Sequence, residues 1–184
     1  MTDLFEMIGY HPTAAQQHFH DACRRQREEG DRREICTIVS PGRGSGKTTA
    51  LFMEALLTGY ENPGSKILFV TESVPTQWVK GLSQAGLHWW SRYREVTFPN
   101  QSVLAVISPT TREPRPSIPI SAKYGLYVDD VERVSLGVLA ELFVGYRHAT
   151  LGRWASLGTM VSFGQVPAPK DLLKFVQLLD GESR

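Results

Sequence analysis

Ten consecutive residues, Ser40-Pro41-Gly42-Arg43-Gly44-Ser45-Gly46-Lys47-Thr48-Thr49, have the types and spacing of a phosphate-binding loop. An apolar, β-branched run, Ile35 to Val39, leads into them, and a helix-like segment from Lys47 to Thr58 leads out. That strand–glycine loop–helix context is what gives a Walker A match its meaning. Glycines let successive backbone N–H groups face phosphate oxygens, and the helix N-terminus adds its partial positive charge. In such a loop Pro41 to Thr49 cradle the nucleotide, Lys47 reaches the β- and γ-phosphates, and the Thr48 hydroxyl holds Mg²⁺. The pattern G-x-x-x-x-G-K-[ST] asks for glycine at position 41, where this chain has Pro41, so Gly42 and Gly44 must supply the flexibility. The competing reading is a glycine-rich turn that happens to contain Gly-Lys-Thr.

A second constellation lies at Tyr124-Gly125-Leu126-Tyr127-Val128-Asp129-Asp130, an apolar strand ending in two carboxylates. After a phosphate loop this reads as a Walker B strand. Asp129 is then the Mg²⁺ residue, and Asp130 orients and polarises the attacking water. Without the loop, the same pair would more often be a strand-ending turn or a helix cap. A third candidate is Ala155 to Thr159, where Ser156 or Thr159 at a strand end could sense the γ-phosphate. The alternative there is an ordinary strand end.

The elements that must position these residues alternate between the two periodicities. A helix is expected from about Ala14 to Arg27, after Pro12 and Thr13, and Gly30 would end it. The dense charge of positions 24–34 reads as a solvated helix end and loop. Lys66 to Thr71 is a continuous apolar run, suited to a buried parallel strand. Trp78, Leu82, Ala85, Trp89 and Tyr93 recur at helical spacing, which predicts a helix over 75–93 with its aromatics packed on a sheet; contact with a base or partner is the other reading. Val96-Thr97-Phe98 and Ser102 to Ser108 read as a hairpin turning at Pro99-Asn100-Gln101. Four prolines make 109–121 a loop. A helix from about Val134 to Arg147, a strand Arg153 to Leu157 and a last helix from about Lys170 to Asp180 complete the chain.

The pattern predicts an α/β fold, an ASCE-type P-loop NTPase: a three-layer sandwich with a largely parallel central sheet and a β-hairpin insertion. Its 184 residues suit a single domain: an N-terminal helix and charged linker over 1–34, a nucleotide-binding core over 35–160 and a C-terminal helix over 161–184. A net charge of +1 leaves nucleic-acid binding to local clusters of Arg and Lys. Two cysteines, Cys23 and Cys36, form no disulfide framework or CxxC pair, which makes a reducing cytosol the expectation. No segment is long and apolar enough for a membrane span, and no signal peptide is expected.

Taken together, these residues resemble the ATPase domain of the large terminase subunit, the DNA-packaging motor of tailed bacteriophages. Gly9-Tyr10-His11-Pro12-Thr13-Ala14-Ala15-Gln16 is similar to that family's leading segment, in which a glutamine lies near the adenine, and Gln16 matches it. Gly42 to Thr48 resembles its phosphate loop, which commonly carries an arginine where Arg43 stands. Phe98 to Ser102 resembles its hairpin. Asp129-Asp130 falls on its Asp-Glu pair, and Ser156 to Thr159 on its coupling motif. The resemblance implies an ATP- and Mg²⁺-dependent ATPase that translocates double-stranded DNA into a capsid in the cytoplasm of the infected bacterial host. Lys47, Asp130 and Arg43 would be catalytic, Thr48 and Asp129 would hold the metal, and Ser156 and Thr159 would couple. It also implies a homo-oligomeric ring, with portal, small terminase subunit and a separate nuclease chain as partners, because no nuclease domain is expected here and no membrane is involved. In a ring Arg112, Arg115, Arg147 or Arg153 could act on a neighbour or on DNA, though each also suits an ordinary surface arginine. Position 130 departs from the family's glutamate by one methylene, with Glu132 nearby as a helper. Two alternatives remain open: a helicase-like DNA-remodelling ATPase, and a nucleotide-binding assembly module that hydrolyses weakly.

Overall fold

A computed structural model describes residues 2–29, 35–40, 46–72, 76–108, 124–134, 138, 142 and 148–154. The chain order is α1 (Thr2–Ile8), α2 (Ala14–Glu29), β1 (Ile35–Ser40), α3 (Lys47–Glu61), β2 (Lys66–Val70), a 3-10 turn (Thr76–Trp78), α4 (Val79–Gln84), β3 (His88–Trp90), β4 (Glu95–Thr97), β5 (Val103–Ile107), β6 (Gly125–Val128), a second 3-10 turn (Val131–Arg133) and β7 (His148–Trp154). The seven strands form one sheet in the order β1-β7-β6-β2-β5-β4-β3. The first five are parallel, and β4 and β3 are appended antiparallel to β5. Parallel strands need both faces covered, which is why β2 and β6 read as unbroken apolar runs.

Successive strand residues feed opposite faces. Ile67, Phe69, Leu104, Val106 and Tyr127 meet α1 to α4 in one core, with Phe19, Leu51, Phe52 and Leu56. Leu68, Val70, Ala105, Leu126 and Val128 meet Val131, Val134, Val138 and Leu142 in the other. Helix α3 sits deepest: Leu51, Phe52, Met53, Ala55 and Leu56 are all essentially inaccessible. Each large apolar side chain buried this way contributes about 1.5–3 kcal/mol of transfer free energy.

The expected largely parallel sheet, β-hairpin and three-layer arrangement are all present. Three local expectations are corrected. The helix over 75–93 is instead a 3-10 turn and the six-residue α4, followed by β3. Gly86, at φ +72°, closes α4: its N–H donates to the Ser83 carbonyl at 3.1 Å and that of Leu87 to the Leu82 carbonyl at 2.9 Å. This left-handed glycine stop ends a helix decisively. The aromatic stripe survived the break because Trp89 faces inward at strand period and continued the helical one by coincidence; Trp78, Ala85 and Trp89 do pack on the core. Tyr93 is 60% exposed.

The second correction is the last strand, which runs His148–Trp154 rather than from Arg153; positions 155–157 lie outside the described residues. The third concerns the helix expected from Val134. That residue is extended at the close of the second 3-10 turn, and the helical Val138 and Leu142 follow it. The rest of that segment, the loop at 109–121, the final helix and Gly30 lie outside the described residues.

Helix α1 has no counterpart in the sequence reading. Gly81 lets it approach α4: a β-carbon at Gly81 would run into the Ile8 carbonyl oxygen, a backbone atom that cannot swing aside. Gly81→Ala is expected to destabilise the chain by about 1–3 kcal/mol, as overpacking does, read as a lower urea midpoint at unchanged m-value.

Candidate nucleotide site

The site is assembled by the C-terminal ends of β1 and β6 and the first turn of α3. Gly46 holds φ +78° and ψ 15°, a left-handed conformation that turns the chain into α3 at Lys47. Lys47 is 3% exposed and Asp129 6% exposed, so this charge cluster sits in a poorly solvated place. The Lys47 ammonium donates to Asp129 Oδ1 at 2.6 Å and also to Asp130 Oδ1. Thr48 Oγ1 donates to Asp129 Oδ2 at 2.5 Å. The Asp130 backbone N–H returns to Asp129 Oδ1 at 3.1 Å, closing a turn over the carboxylate. Asp130 itself is left-handed, at φ 47° and ψ 55°. Residues 81 or more apart in sequence are thus brought within bonding distance, as the two motifs require.

Oxygen donors from Thr48, Asp129 and Asp130 converge with a cation among them, here the Lys47 ammonium. A hydroxyl and carboxylates are hard oxygen ligands, so the residues fit a small divalent cation such as Mg²⁺. Among the described residues no cluster of three or more His, Cys, Asp or Glu forms a separate metal centre.

Gln16 stands beside the exit of the phosphate loop. Its Oε1 accepts the Thr13 N–H at 2.9 Å, while the Gln16 N–H donates to Thr13 Oγ1 at 3.3 Å. This reciprocal pair is a capping box, and it sets the start of α2. Gln16 Nε2 then donates to the Gly46 carbonyl at 3.3 Å. The side chain therefore ties α2 to the exit of the phosphate loop. Thr49 lies in the first turn of α3, partly buried.

Pro41, Gly42, Arg43, Gly44 and Ser45 lie outside the described residues, as do Ser156, Thr159, Arg112, Arg115 and Arg147. Arg153 is described as part of the β7 backbone, and Glu132 as part of the second 3-10 turn. Two residues near the carboxylates escaped the sequence reading. Thr71, at the end of β2, donates to Asp129 Oδ2 at 3.5 Å and is buried. Arg133 Nε stands 4.0 Å from Asp130 Oδ2. A polar residue closing an apolar strand at the sheet's carboxyl edge was the available signal for Thr71.

Behind the site α2 and α3 share a buried charge network. Glu54 is fully buried; its Oε2 meets His20 Nδ1 at 2.6 Å, and its Oε1 takes the Arg27 guanidinium. Arg27 also reaches Glu61 at 3.5 Å, and Tyr10 Oη lies 3.2 Å from His20 Nε2. Burial pushes the Glu54 carboxyl up, but Arg27 and His20 outweigh it and hold the group below its ordinary range. Burial likewise pushes the Tyr10 and Tyr127 hydroxyls up, with Glu54 adding to it. The charge run at 24–34 is therefore not all solvated: Arg27 turns inward because Glu54 awaits it on α3.

No protein-family model matches the sequence, and no curated protein does either. Solved structures do. The chain is similar to the large terminase ATPase domain of Thermus phage P74-26, at 15% identity and a TM-score of 0.59, over 86% of this chain and 71% of that one. A point mutant of the same domain matches at 14% identity and a TM-score of 0.57, over the same shares. The large terminase of the thermophilic bacteriophage D6E matches at 11% identity and a TM-score of 0.55, over 77% of this chain and 39% of that one. Among the described residues no helix is long and apolar enough to cross a membrane. A mostly parallel sheet, with β7 inserted between the strand that enters the loop and the strand that carries the carboxylates, gives this chain the fold of phage large terminase ATPase domains.

Proposed function

We propose that this chain is a Mg²⁺-dependent ATPase that drives double-stranded DNA into a viral capsid, acting as a homo-oligomeric ring in the cytoplasm of an infected bacterium. The observation that carries the reading is the convergence of Lys47, Thr48, Asp129 and Asp130 at the carboxyl edge of the sheet. The likeness in fold to packaging ATPase domains supports the biological role.

The chemistry follows from the charges. In the described state Lys47 bridges both aspartates and offsets one of their two charges. An entering triphosphate offers its ammonium a stronger anionic partner, so Lys47 transfers to the β- and γ-phosphate oxygens. That exchange frees the Asp130 carboxylate to accept a hydrogen bond, and then a proton, from the water that attacks the γ-phosphorus. Thr48 and Asp129 would hold the Mg²⁺ ion, which neutralises charge across the phosphate oxygens. Arg43 would add positive charge in the same chain. Ser156 or Thr159 would report the γ-phosphate to the ring, with portal, small terminase subunit and a separate nuclease chain as its partners.

One observation favours a weaker enzyme that serves as a nucleotide-binding assembly module. Asp130 is a short carboxylate already engaged by Lys47, so turnover requires that ion pair to open first. Steady-state ATP hydrolysis with Mg²⁺, with and without linear duplex DNA, separates the readings. The motor reading expects DNA-stimulated turnover that Asp130→Asn lowers by about 10²–10⁴-fold, the range for losing a general base. ATP binding with no turnover under either condition would leave the assembly module.

A further inference from the structure

The β3–β4 turn carries a group of exposed aromatic and basic side chains that the nucleotide chemistry does not use. Trp90 is 47% exposed and Tyr93 60% exposed, and both are among the few large hydrophobic residues left at the surface of the described chain. Trp90 is held in place: its Nε1 donates to Thr97 Oγ1 at 3.2 Å, and the His88 ring packs edge-on at 4.2 Å. The Arg92 guanidinium lies 5.7 Å from the centre of the Tyr93 ring. His88-Trp89-Trp90-Ser91-Arg92-Tyr93-Arg94 contains two arginines and no carboxylate; the next residue, Glu95, is half-buried in β4.

The register fixes where this group sits. Trp90 pairs with Glu95, and Glu95 with Ala105 in the middle of β5, so the turn lies beyond that level toward the carboxyl end of β5. The Val106 N–H donates to the Arg94 carbonyl at 2.8 Å. The antiparallel strands therefore return the turn to the sheet edge that carries Asp129 and Asp130. Counting strands β6-β2-β5-β4-β3, the turn that joins β4 to β3 stands three to four spacings from the carboxylates, roughly 14–19 Å at the usual inter-strand distance.

We propose that Trp90, Tyr93 and Arg92 form a contact for a nucleic-acid strand with unpaired bases, the two rings stacking on bases and Arg92 taking a backbone phosphate. Charge complementarity selects a polyanion. Flat rings presented to solvent select one whose base faces are open, because a duplex hides them. A frayed or single-stranded end would then be gripped on the same edge where nucleotide is hydrolysed. The use of this contact rests on the DNA-motor reading, but its chemistry does not.

The test is binding of a fluorescein-labelled oligo-dT of about 20 nucleotides without nucleotide present, followed by anisotropy and by quenching of tryptophan emission. A blunt duplex of equal length and sedimentation of the free protein run beside it. Trp90→Ala and Tyr93→Ala are each expected to weaken oligo-dT binding by roughly 5- to 100-fold, the range for losing one stacked base, while Trp90→Tyr restores most of it. Arg92→Gln is expected to flatten the salt dependence by about one phosphate contact. Duplex bound as tightly as oligo-dT and insensitive to the ring substitutions would overturn the proposal. So would a surface whose loss dissociates a self-associated protein without affecting oligonucleotide. Oligo-dT binding that persists in a chain with no ATP turnover would keep this contact and discard the motor.

Discussion

Lys47→Ala is expected to lower ATP turnover by about 10²–10³-fold, the cost of removing one preorganised donor from a developing oxyanion. Removing the cation from this buried pair should also lower stability, by less than the full cost of an orphaned charge because Asp129 keeps Thr48, Thr71 and the Asp130 N–H as partners. The loss should fall mainly on kcat with saturating nucleotide. Lys47→Arg is not a rescue: a planar fork cannot replace a compact ammonium between two carboxylates on a buried helix terminus. Steady-state hydrolysis of both variants beside thermal melts checks this. Turnover within about threefold of wild type in Lys47→Ala, on a scale where tenfold is about 1.4 kcal/mol, would remove the phosphate loop from the mechanism.

Glu54→Ala should have the largest effect on stability. It leaves the Arg27 guanidinium and His20 buried without their shared anion, and breaking a buried pair in this way costs about 3–5 kcal/mol. For a chain of this length that corresponds to a melting temperature lower by roughly 6–20 °C. The pH dependence carries a sign. Because Glu54 is held below its ordinary range in the folded state, its contribution is complete above the unfolded value. It is lost as pH falls through that value and then through the folded one. Wild-type stability should therefore drop on acidification below about pH 4.3, the unperturbed glutamate value, and Glu54→Gln should flatten part of that drop. Urea titrations at pH 7, 5, 4 and 3 measure both. Equal slopes in wild type and Glu54→Gln would show that the network does not set the acid limit.

The convergence of Lys47 with Asp129 and Asp130 was legible because its two halves are local patterns, each with its own strand. Glycine spacing before Lys47 and an apolar run ending in Asp129 and Asp130 are visible without knowing what touches what. The parallel sheet was legible for the same reason: Ile67 to Val70 and Leu126 to Val128 are apolar at every position, which only two-sided burial explains. What failed was local competition between periods. Trp78 to Tyr93 fits a helical stripe, and only the left-handed Gly86 reveals that the second half follows strand alternation. The Glu54 network failed differently. His20 lies 34 residues from Glu54 and Arg27 lies 27, and no local pattern marks a charged residue as the one that turns inward. Gln16 adds a structural tie that the sequence alone does not show, since its carboxamide is engaged by Thr13 and by Gly46 at the exit of the phosphate loop.

Asp130 has a consequence for how this protein could change. Its backbone is held at φ 47°, where a residue with a β-carbon is strained by roughly 1–2 kcal/mol relative to glycine. Glycine at position 130 would relieve that backbone strain but would also remove the second carboxylate and its ion pair with Lys47. On the proposed mechanism, folding and turnover pull this position in opposite directions, so thermally hardened variants of the chain should be screened for the identity of residue 130 before their hydrolysis rates are compared.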